Sequence, residues 1–436
     1  MAPPIVASVS QSSYAGMASY YAATANAAPQ RAPLMGQRRT DVCIVGGGFT
    51  GLSAALELSG RGMSVVLLES ERMGWGASGR NGGQLINGYS RSLEVIGKRY
   101  GPDAERGLGA MALEGARLIR ERVAEHNIAC DLIDGGFVAA LNRKQLDGLR
   151  AERDTWARHG HHAPYIVERD AVRSIVASDR YAGGLVDPLS GHFHPLNFLL
   201  GEAAAFELAG GVIHEQSRVE AVEHGAKAVV RTAQGSVEAD IVLLCGNAYL
   251  DDAVPALTSR VMPVSSQIIA TEPLDDRAVA LLPENHCVED GNYILDYFRR
   301  TADNRLLYGG GVVYGGQDPA SISGKIWPNL LKTFPDLADV RIDFAWSGKF
   351  ALTLTRIPQI GRLAPNVYFS HGDSGHGVTT TQLLGRLLGE AVRGQLDRFD
   401  LFAALPYYPF PGGRTFRVPL SVLGSWYYAI RDRIGI

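Results

Sequence analysis

"TDVCIVGGGFTGLSAALELSGRGMSVVLLES", residues 40–70, decides the fold. "DVCIV" is a short apolar run of the kind buried in a parallel sheet. Gly46, Gly48 and Gly51 follow at G-x-G-x-x-G spacing, with Phe49 and Thr50 inside the motif. "LSAALELSGRG" predicts a helix, and "SVVLLE" a second strand ending at Glu69 and Ser70. Each glycine has a mechanical reason. Gly46 permits the tight turn, Gly48 the close approach of a pyrophosphate, and Gly51 the packing of helix on strand. The phosphates then face free N–H groups at the positive end of the helix. Glu69 stands where an acid accepts hydrogen bonds from a ribose. The glycine spacing alone occurs in ordinary turns. Strand, glycines, helix, strand and acid in register specify dinucleotide binding.

The next stretch separates the candidate dinucleotides. A nicotinamide-binding chain usually continues with another crossover helix, whereas here "SERMGWGASGRNGGQ" follows at 70–84. Its glycines let backbone lie against an extended ligand, and Ser78, Arg80 and Asn81 supply donors. Gly76, Ala77, Ser78, Arg80, Asn81, Gly82, Gly83 and Gln84 are therefore expected along a flavin dinucleotide. Arg80 is suited to neutralise pyrophosphate or hold the ribityl region.

Outward from this unit, 436 residues are too many for one ordinary core, so two interleaved domains are expected. Net charge is -3 and the Lys and Arg residues are dispersed, which excludes a nucleic-acid binder. Cys43, Cys130, Cys245 and Cys287 lie far apart without a CxxC pair, so neither zinc nor a disulfide framework is indicated. No apolar run is long enough to span a bilayer, and the N-terminus lacks the pattern of a secretory signal. These features point to a cytoplasmic protein. Residues 1–37, rich in Ala, Ser, Pro and Tyr, are expected to wrap the surface or stay mobile.

Further blocks carry a resemblance: "SYYAATAN" (19–26), "GWGASGRNGGQLINGYSR" (74–91), "CDLIDGGFVAALN" (130–142), "GHFHPLNFLLGEA" (191–203), "DYFRRTADNRLLYGG" (296–310) and "RIPQIGRLAPNVYFSHGDSGHGV" (356–378). With the glycine motif they resemble the FAD-dependent amine and amino-acid oxidoreductases of the D-amino-acid oxidase and sarcosine oxidase type. The resemblance implies an α/β fold: a Rossmann-like FAD-binding domain interleaved with a mainly antiparallel, α+β substrate domain. The cofactor domain would take residues 38–90, 191–252 and 345–395. The substrate domain and connecting helices would take 91–190 and 253–344, and 396–436 would form a tail. Val219 would meet the adenine through backbone atoms, and Gly246 and Asn247 would make a second glycine contact. Gly375, His376, Gly377 and Val378 would open a helix aimed at the flavin pyrimidine. That helix carries an apolar stripe through Leu383, Leu384, Leu387 and Leu388.

The implied reaction is oxidation of an amine C–N bond to an imine, which hydrolyses to an aldehyde. The implied substrate is a gamma-glutamyl conjugate of putrescine or a related polyamine conjugate. Oxidation of a free amino acid of the D-amino acid, glycine or sarcosine type is the alternative. A non-catalytic FAD-binding or tRNA-modifying flavoprotein is the alternative of another class. Some relatives attach flavin through a cysteine, but "KFALTLTRIPQIGRL" has none, so FAD is expected to be non-covalent. "GGGVVYGG" does not repeat the dinucleotide spacing, so no NAD(P)H fold is expected. The lysine that sarcosine oxidases use for oxygen has no counterpart in "RLLYGGG", which leaves O2 or another acceptor open. The oligomeric state is also open.

In "YILDYFRR" (293–300), Tyr293, Leu295, Tyr297 and Arg299 share one face of a strand. That face is expected to look at the flavin, with Tyr297, Arg299 and His376 as candidate catalytic residues and Arg299 suited to a substrate carboxylate. "RHGHHAP" (158–164) reads as a solvated loop without acidic partners, and His192 and His194 as structural. In the tail, Val422, Leu423, Trp426, Tyr427, Ile430 and Ile434 share a helical spacing. That helix is expected to dock on the protein, weak membrane contact being the alternative.

Overall fold

A computed structural model of the chain describes residues 17–59, 61–250, 253–413 and 416–423. A one-turn helix α1 (Tyr20–Ala23) precedes strand β1 (Gly36–Val45), helix α2 (Phe49–Ser59) and strand β2 (Val65–Leu68). Next come β3 (Gln84–Leu85), α3 (Leu93–Tyr100), α4 (Pro102–Met111), α5 (Glu114–Glu125), β4 (Ile133–Ala140), α6 (Arg143–Arg158), β5 (Tyr165–Glu168) and β6 (Gly183–His192). The middle of the chain holds α7 (Pro195–Leu208), β7 (Val212–His214), β8 (Val219–Glu223), β9 (Ala228–Thr232), β10 (Gly235–Leu244) and α8 (Pro255–Thr258). There follow β11 (Val261–Thr271), α9 (Asp276–Leu281), β12 (Cys287–Asp290), β13 (Asp296–Arg300), β14 (Leu306–Tyr314) and α10 (Ile322–Thr333). The described elements close with β15 (Ile342–Thr353), β16 (Gln359–Ala364), β17 (Val367–His371), α11 (Gly377–Val392) and α12 (Asp397–Ala403).

Two sheets organise these elements. The first has the order β16-β17-β10-β1-β2-β7, with β9 and β8 added beside β10. The steps from β17 to β7 are all parallel. Both faces of the last four residues of β1 (42–45) and of β2 are buried, which is why these stretches are continuously apolar. Val42, Ile44, Val65 and Leu67 join a core with α2, α7 and α11, while Cys43, Val45, Val66 and Leu68 pack with β8 and β9 on the other side. "GSVEA" and "DIVLL", which read as separate strands, form the single strand β10. It pairs with β1 over its whole length and with β9 over its first half.

The second sheet has the order β15-β11-β14-β13-β12-β4-β6-β3, with β5 beside β6. Only the β4–β12 step is parallel. One face packs on α10, where Phe298 and Tyr308 meet Ile326, Trp327 and Leu330. The other face looks back toward the first sheet.

Strand membership moves the expected boundaries. Residue 345 lies inside β15, which belongs to the second sheet, so the chain changes sheets between Thr353 and Gln359. Helices α3 to α5, expected with the substrate half, instead reach the cofactor half. Gly115 of α5 lies against the Thr379 carbonyl, and Arg122 bonds Glu202 of α7 at 2.9 Å.

The N-terminal expectation is corrected for residues 17–35. Tyr20, Tyr21 and Ala22 are at most 3% exposed. Tyr21 sits edge-on between His194 at 4.9 Å and Trp346 at 5.4 Å. Two large rings whose hydroxyls find partners bury well: Tyr20 donates to Asp303 at 2.9 Å, and Tyr21 accepts from Arg299 at 3.0 Å. Arg31, also buried, forks onto Glu207 with two bonds of 2.7 Å.

Three further readings change. The strand expected from Tyr293 starts at Asp296, because the Asp290 carboxylate accepts from Asn292 N and Asp296 N, each at 3.2 Å, and closes a turn. In "RHGHHAP", His161 is buried 3.0 Å from Asp187, and His159 lies 3.2 Å from Glu105. These acidic partners come from distant segments. No metal-holding cluster occurs among the described residues. In the tail, residues 416–423 are helical, and Arg417 anchors them by donating to Thr258 O at 2.6 Å and Val261 O at 2.7 Å. Trp426, Tyr427, Ile430 and Ile434 lie outside the described residues. No described helix is long and apolar enough to cross a membrane.

Candidate active site

The carboxyl ends of β1, β2, β10 and β17 surround a cavity of about 310 Å³, the place where open parallel sheets bind ligands. Gly46, Gly48, Phe49, Thr50, Glu69, Ser70, Gly76, Ala77, Ser78, Val219, Gly246 and Asn247 line it. Gly46 has φ +106°, and a Cβ there would lie 2.9 Å from the Cys245 carbonyl carbon. Gly51 is absent from the wall. A Cβ on it would overlap the Gly46 carbonyl oxygen, so it allows α2 to seat on β1. Ser78 Oγ accepts from Phe49 N at 3.0 Å, which ties the glycine-rich loop to the start of α2.

Glu69 spans the glycine turn. Its carboxylate accepts from Gly47 N at 2.8 Å and Glu71 N at 3.0 Å. Burial raises its pKa and these backbone donors oppose the rise. The carboxylate is thus held where ribose hydroxyls would meet it. Glu69→Ala should weaken FAD binding by about 1.5–3 kcal/mol, the worth of charge-assisted hydrogen bonds. Flavin-fluorescence titration of apoprotein checks this, and unchanged affinity would refute the assignment.

A second cavity of about 280 Å³ opens from the first. The two share Phe49, Ala77, Ser78, Asn247, Asp373 and Thr381. The floor of the second is the face of the second sheet that looks toward the first sheet. Val264, Ser266 and Ile268 alternate along β11, and Gly348, Phe350 and Leu352 along β15. Its roof is the loop holding Arg80, Asn81, Gly82 and Gln84, with Gly375, His376, Gly377 and Val378 at the start of α11.

Several roof and floor residues do work other than that expected. Asn81 staples the loop: it donates to Ala77 O and Ser78 O and accepts from Gly83 N at 2.8 Å. Gly83 itself lies outside both walls. Arg80 lines the second cavity rather than the phosphate end. It donates to Trp75 O at 2.6 Å and lies 5.0 Å over the Trp75 ring, so pyrophosphate neutralisation is not its place. Tyr297 lines the second cavity. A Cβ on Gly82 or Gly309 would strike its ring, and its hydroxyl is 3.3 Å from Ser266 Oγ.

Arg299 does not line the cavity. It is 3% exposed and donates to Gly82 O at 2.7 Å, Tyr21 OH at 3.0 Å and Arg300 O at 3.2 Å. The guanidinium fastens the roof loop and the N-terminal segment to β13, which leaves it no reach toward a substrate carboxylate. Arg299→Met should lower stability by about 2–3 kcal/mol by orphaning buried acceptors and should change KM little. A large KM effect with unchanged melting would restore the binding role.

His376 occupies the N-cap position of α11. Burial depresses its pKa to about 4, so the ring is neutral near pH 7. Its Nδ1 is buried without a protein partner among the described residues. Asn247, at φ +48°, joins the two inner loops by donating to Asp373 at 2.9 Å and accepting from Gly372 N at 2.9 Å.

Sequence reading missed Asp373, Glu289 and Arg356, all of which line the second cavity, whereas Tyr293 and Leu295 line it with Tyr297 as the shared face implied. Asp373 stands where the cavities meet, and burial raises its carboxyl to about 6. Its position directly before Ser374-Gly375-His376 was a usable signal. Glu289 and Arg356 had none, because only the tertiary fold brings these distant segments to one chamber.

A glycine cradle with an acid opposite, leading to a chamber with an orphaned polar atom at a helix start, fits an extended flavin dinucleotide. Residues 41–391 match the DAO family, whose description is FAD dependent oxidoreductase. The chain belongs to this family and is an FAD-dependent oxidoreductase. Over 420 residues it is 54% identical to gamma-glutamylputrescine oxidoreductase of Escherichia coli, covering 96% of this chain and 99% of that one. It is 39% identical to the probable oxidoreductase OrdL of Haemophilus influenzae, over 95% of this chain and 97% of that one. Glycine oxidase from Geobacillus kaustophilus superposes with a TM-score of 0.70 at 22% identity, over 85% of this chain and all of that one. L-Proline dehydrogenase from P. horikoshii gives 0.69 at 19% identity, over 82% of this chain and 94% of that one. These two likenesses speak to fold alone.

Proposed function

We propose that the enzyme oxidises the free primary amine of gamma-glutamylputrescine or a related polyamine conjugate to an imine, which water converts to an aldehyde and ammonia. The observation that carries this reading is the second chamber, lined in large part by apolar side chains, beside a cofactor cradle in a chain so similar to the Escherichia coli oxidoreductase. Bound FAD supplies the hydride acceptor. The chain supplies position and environment. Val264, Ile268, Val312, Phe350 and Leu352 line the chamber and disfavour a charged ammonium, so the amine sheds its proton on entry. The start of α11 favours the negative charge that develops on reduction, and His376 at its N-cap is neutral, so that stabilisation comes from the helix N–H groups. Tyr297, pinned between Gly82 and Gly309, gives the substrate a rigid aromatic surface.

FAD is held without a covalent bond in this reading, so acid precipitation should leave all flavin in the supernatant. Four free, buried cysteines suit the cytoplasm. The decisive experiment is anaerobic flavin bleaching with gamma-glutamylputrescine, putrescine, D-amino acids, glycine and sarcosine. Bleaching is expected to be fastest with the conjugate. Faster bleaching by a free amino acid would replace this reading with amino-acid oxidation, and none with any amine would point to a binding protein.

A further inference from the structure

Glu289 and Arg356 are opposite charges that line one chamber without being paired to each other or to another ionised group among the described residues. Glu289 sits on β12 directly across from Tyr297 on β13, and Tyr297 sits across from Gly309 on β14. Its carboxylate thus belongs to the chamber floor, two strands beyond β14. Its charged neighbours are the carboxyl groups of Glu152 and Asp290. Burial and these neighbours push Glu289 up to about 7, an environment that a cation would relieve.

Arg356 reaches the chamber from the β15–β16 turn, where its guanidinium lies 4.4 Å over the Tyr293 ring. No hydrogen bond or ion pair holds it within the described residues. Its φ is +60°, a left-handed conformation that favours glycine. The turn is fixed by Arg356 N donating to Thr353 O at 3.2 Å and by Thr353 Oγ1 donating to Ile357 O at 2.9 Å. A strained, unpaired arginine aimed into a cavity is what a ligand-reading site retains.

Gamma-glutamylputrescine carries an α-ammonium and an α-carboxylate at one end and the reacting amine at the other. Extended, its α-carbon lies roughly 10 Å from the reacting carbon on ordinary bond lengths.

We propose that Glu289 and Arg356 read the amino-acid end of the substrate: Glu289 receives its α-ammonium and Arg356 its α-carboxylate. The diamine chain then runs over Tyr297 toward the junction at Asn247 and Asp373. This rests on the gamma-glutamyl reading above and names the residues that enforce it. A simple diamine or a free amino acid satisfies only one end of the chamber.

The test uses holoenzyme and three amines: gamma-glutamylputrescine, glutarylputrescine, which lacks the α-ammonium, and 4-aminobutanoylputrescine, which lacks the α-carboxylate. Anaerobic bleaching gives kcat/KM for each. Wild-type enzyme should prefer the full conjugate over either analogue by roughly ten- to hundredfold, the worth of one charge-assisted hydrogen bond. Glu289→Gln should abolish the preference over glutarylputrescine and keep the other. Arg356→Gly should abolish the preference over 4-aminobutanoylputrescine and keep the first. Glycine relieves the strained φ, and glutamine matches glutamate in shape, so wild-type melting is expected for both. Bleaching with preferences unaltered by the variants, or altered equally, would overturn this assignment alone. No bleaching of wild-type enzyme by any of the three would overturn the gamma-glutamyl reading and this assignment with it.

Discussion

Gly51→Val should yield no folded flavoprotein. A Cβ on Gly51 overlaps the Gly46 carbonyl oxygen and comes within 3.3 Å of Ile44. The obstacle is backbone, which cannot rotate away as a side chain can. Gly46 has no room to retreat, since the Cys245 backbone stands 2.9 Å from where its own Cβ would be. Overpacking against movable side chains costs about 1–3 kcal/mol. Here α2 must leave β1, and the cost approaches the roughly 5–15 kcal/mol that holds a domain together. Gly148 is the control: it lies in α6 with nothing within 4 Å of a Cβ. Gly148→Ala should raise stability by about 0.5–1 kcal/mol through the chain entropy that glycine gives up. Soluble yield, the flavin absorbance of purified protein and thermal melts measure both. A yellow, wild-type-like Gly51→Val protein would contradict the assigned role of the motif.

Arg122→Met should cost about 3–5 kcal/mol, because it leaves a buried carboxylate without its counter-charge. Arg122 projects from α5 to Glu202 on α7 at 2.9 Å, to Gln382 on α11, and to Ser53 O of α2 at 3.4 Å. Glu202 is wholly buried. Burial raises its pKa to about 7 while Arg122 and Gln382 pull it down, so loss of the arginine raises it further. The folded state already holds that proton more tightly than the unfolded chain. Ionising Glu202 therefore erodes stability as pH rises above its unfolded value, and the loss levels off once pH passes the folded pKa. For wild type this plateau begins near pH 7; in the variant it comes later. The stability gap should accordingly widen above about pH 7, as denaturant melts at pH 6 and pH 9 would show. Glu202→Gln added to Arg122→Met should remove the pH dependence. A gap independent of pH would mean the arginine contributes by packing alone.

What the sequence made legible was local. Gly46, Gly51 and Glu69 act within one βαβ unit, where spacing alone places them. His376 was placed by its position before an apolar helical stripe. Arg299 shows where such reasoning stops. Alternation put it on the same face as Tyr297, and both do meet the roof loop at Gly82. Alternation does not say how far along a strand a cavity extends, and two residues further on Arg299 is sealed under Tyr21. Glu289 and Arg356 were invisible for another reason: they come from segments at opposite ends of the order β15-β11-β14-β13-β12 and meet one chamber only through the tertiary fold, which no local pattern encodes. The N-terminal segment misled by composition, since its Ala, Ser and Pro suggest loose chain while two tyrosines supply the anchoring surface.

Those tyrosines set a timetable for assembly. Tyr21 is clasped by His194, Arg299 and Trp346, and Tyr20 by Asp303 and Phe344. A ribosome delivers the tyrosines first and Trp346 more than three hundred residues later. Within that interval His194, Arg299 and Asp303 arrive before Phe344 and Trp346, so a nascent chain that stops before β15 shelters the two aromatic side chains only in part. A segment made before all of its partners is thus the clasp that closes last.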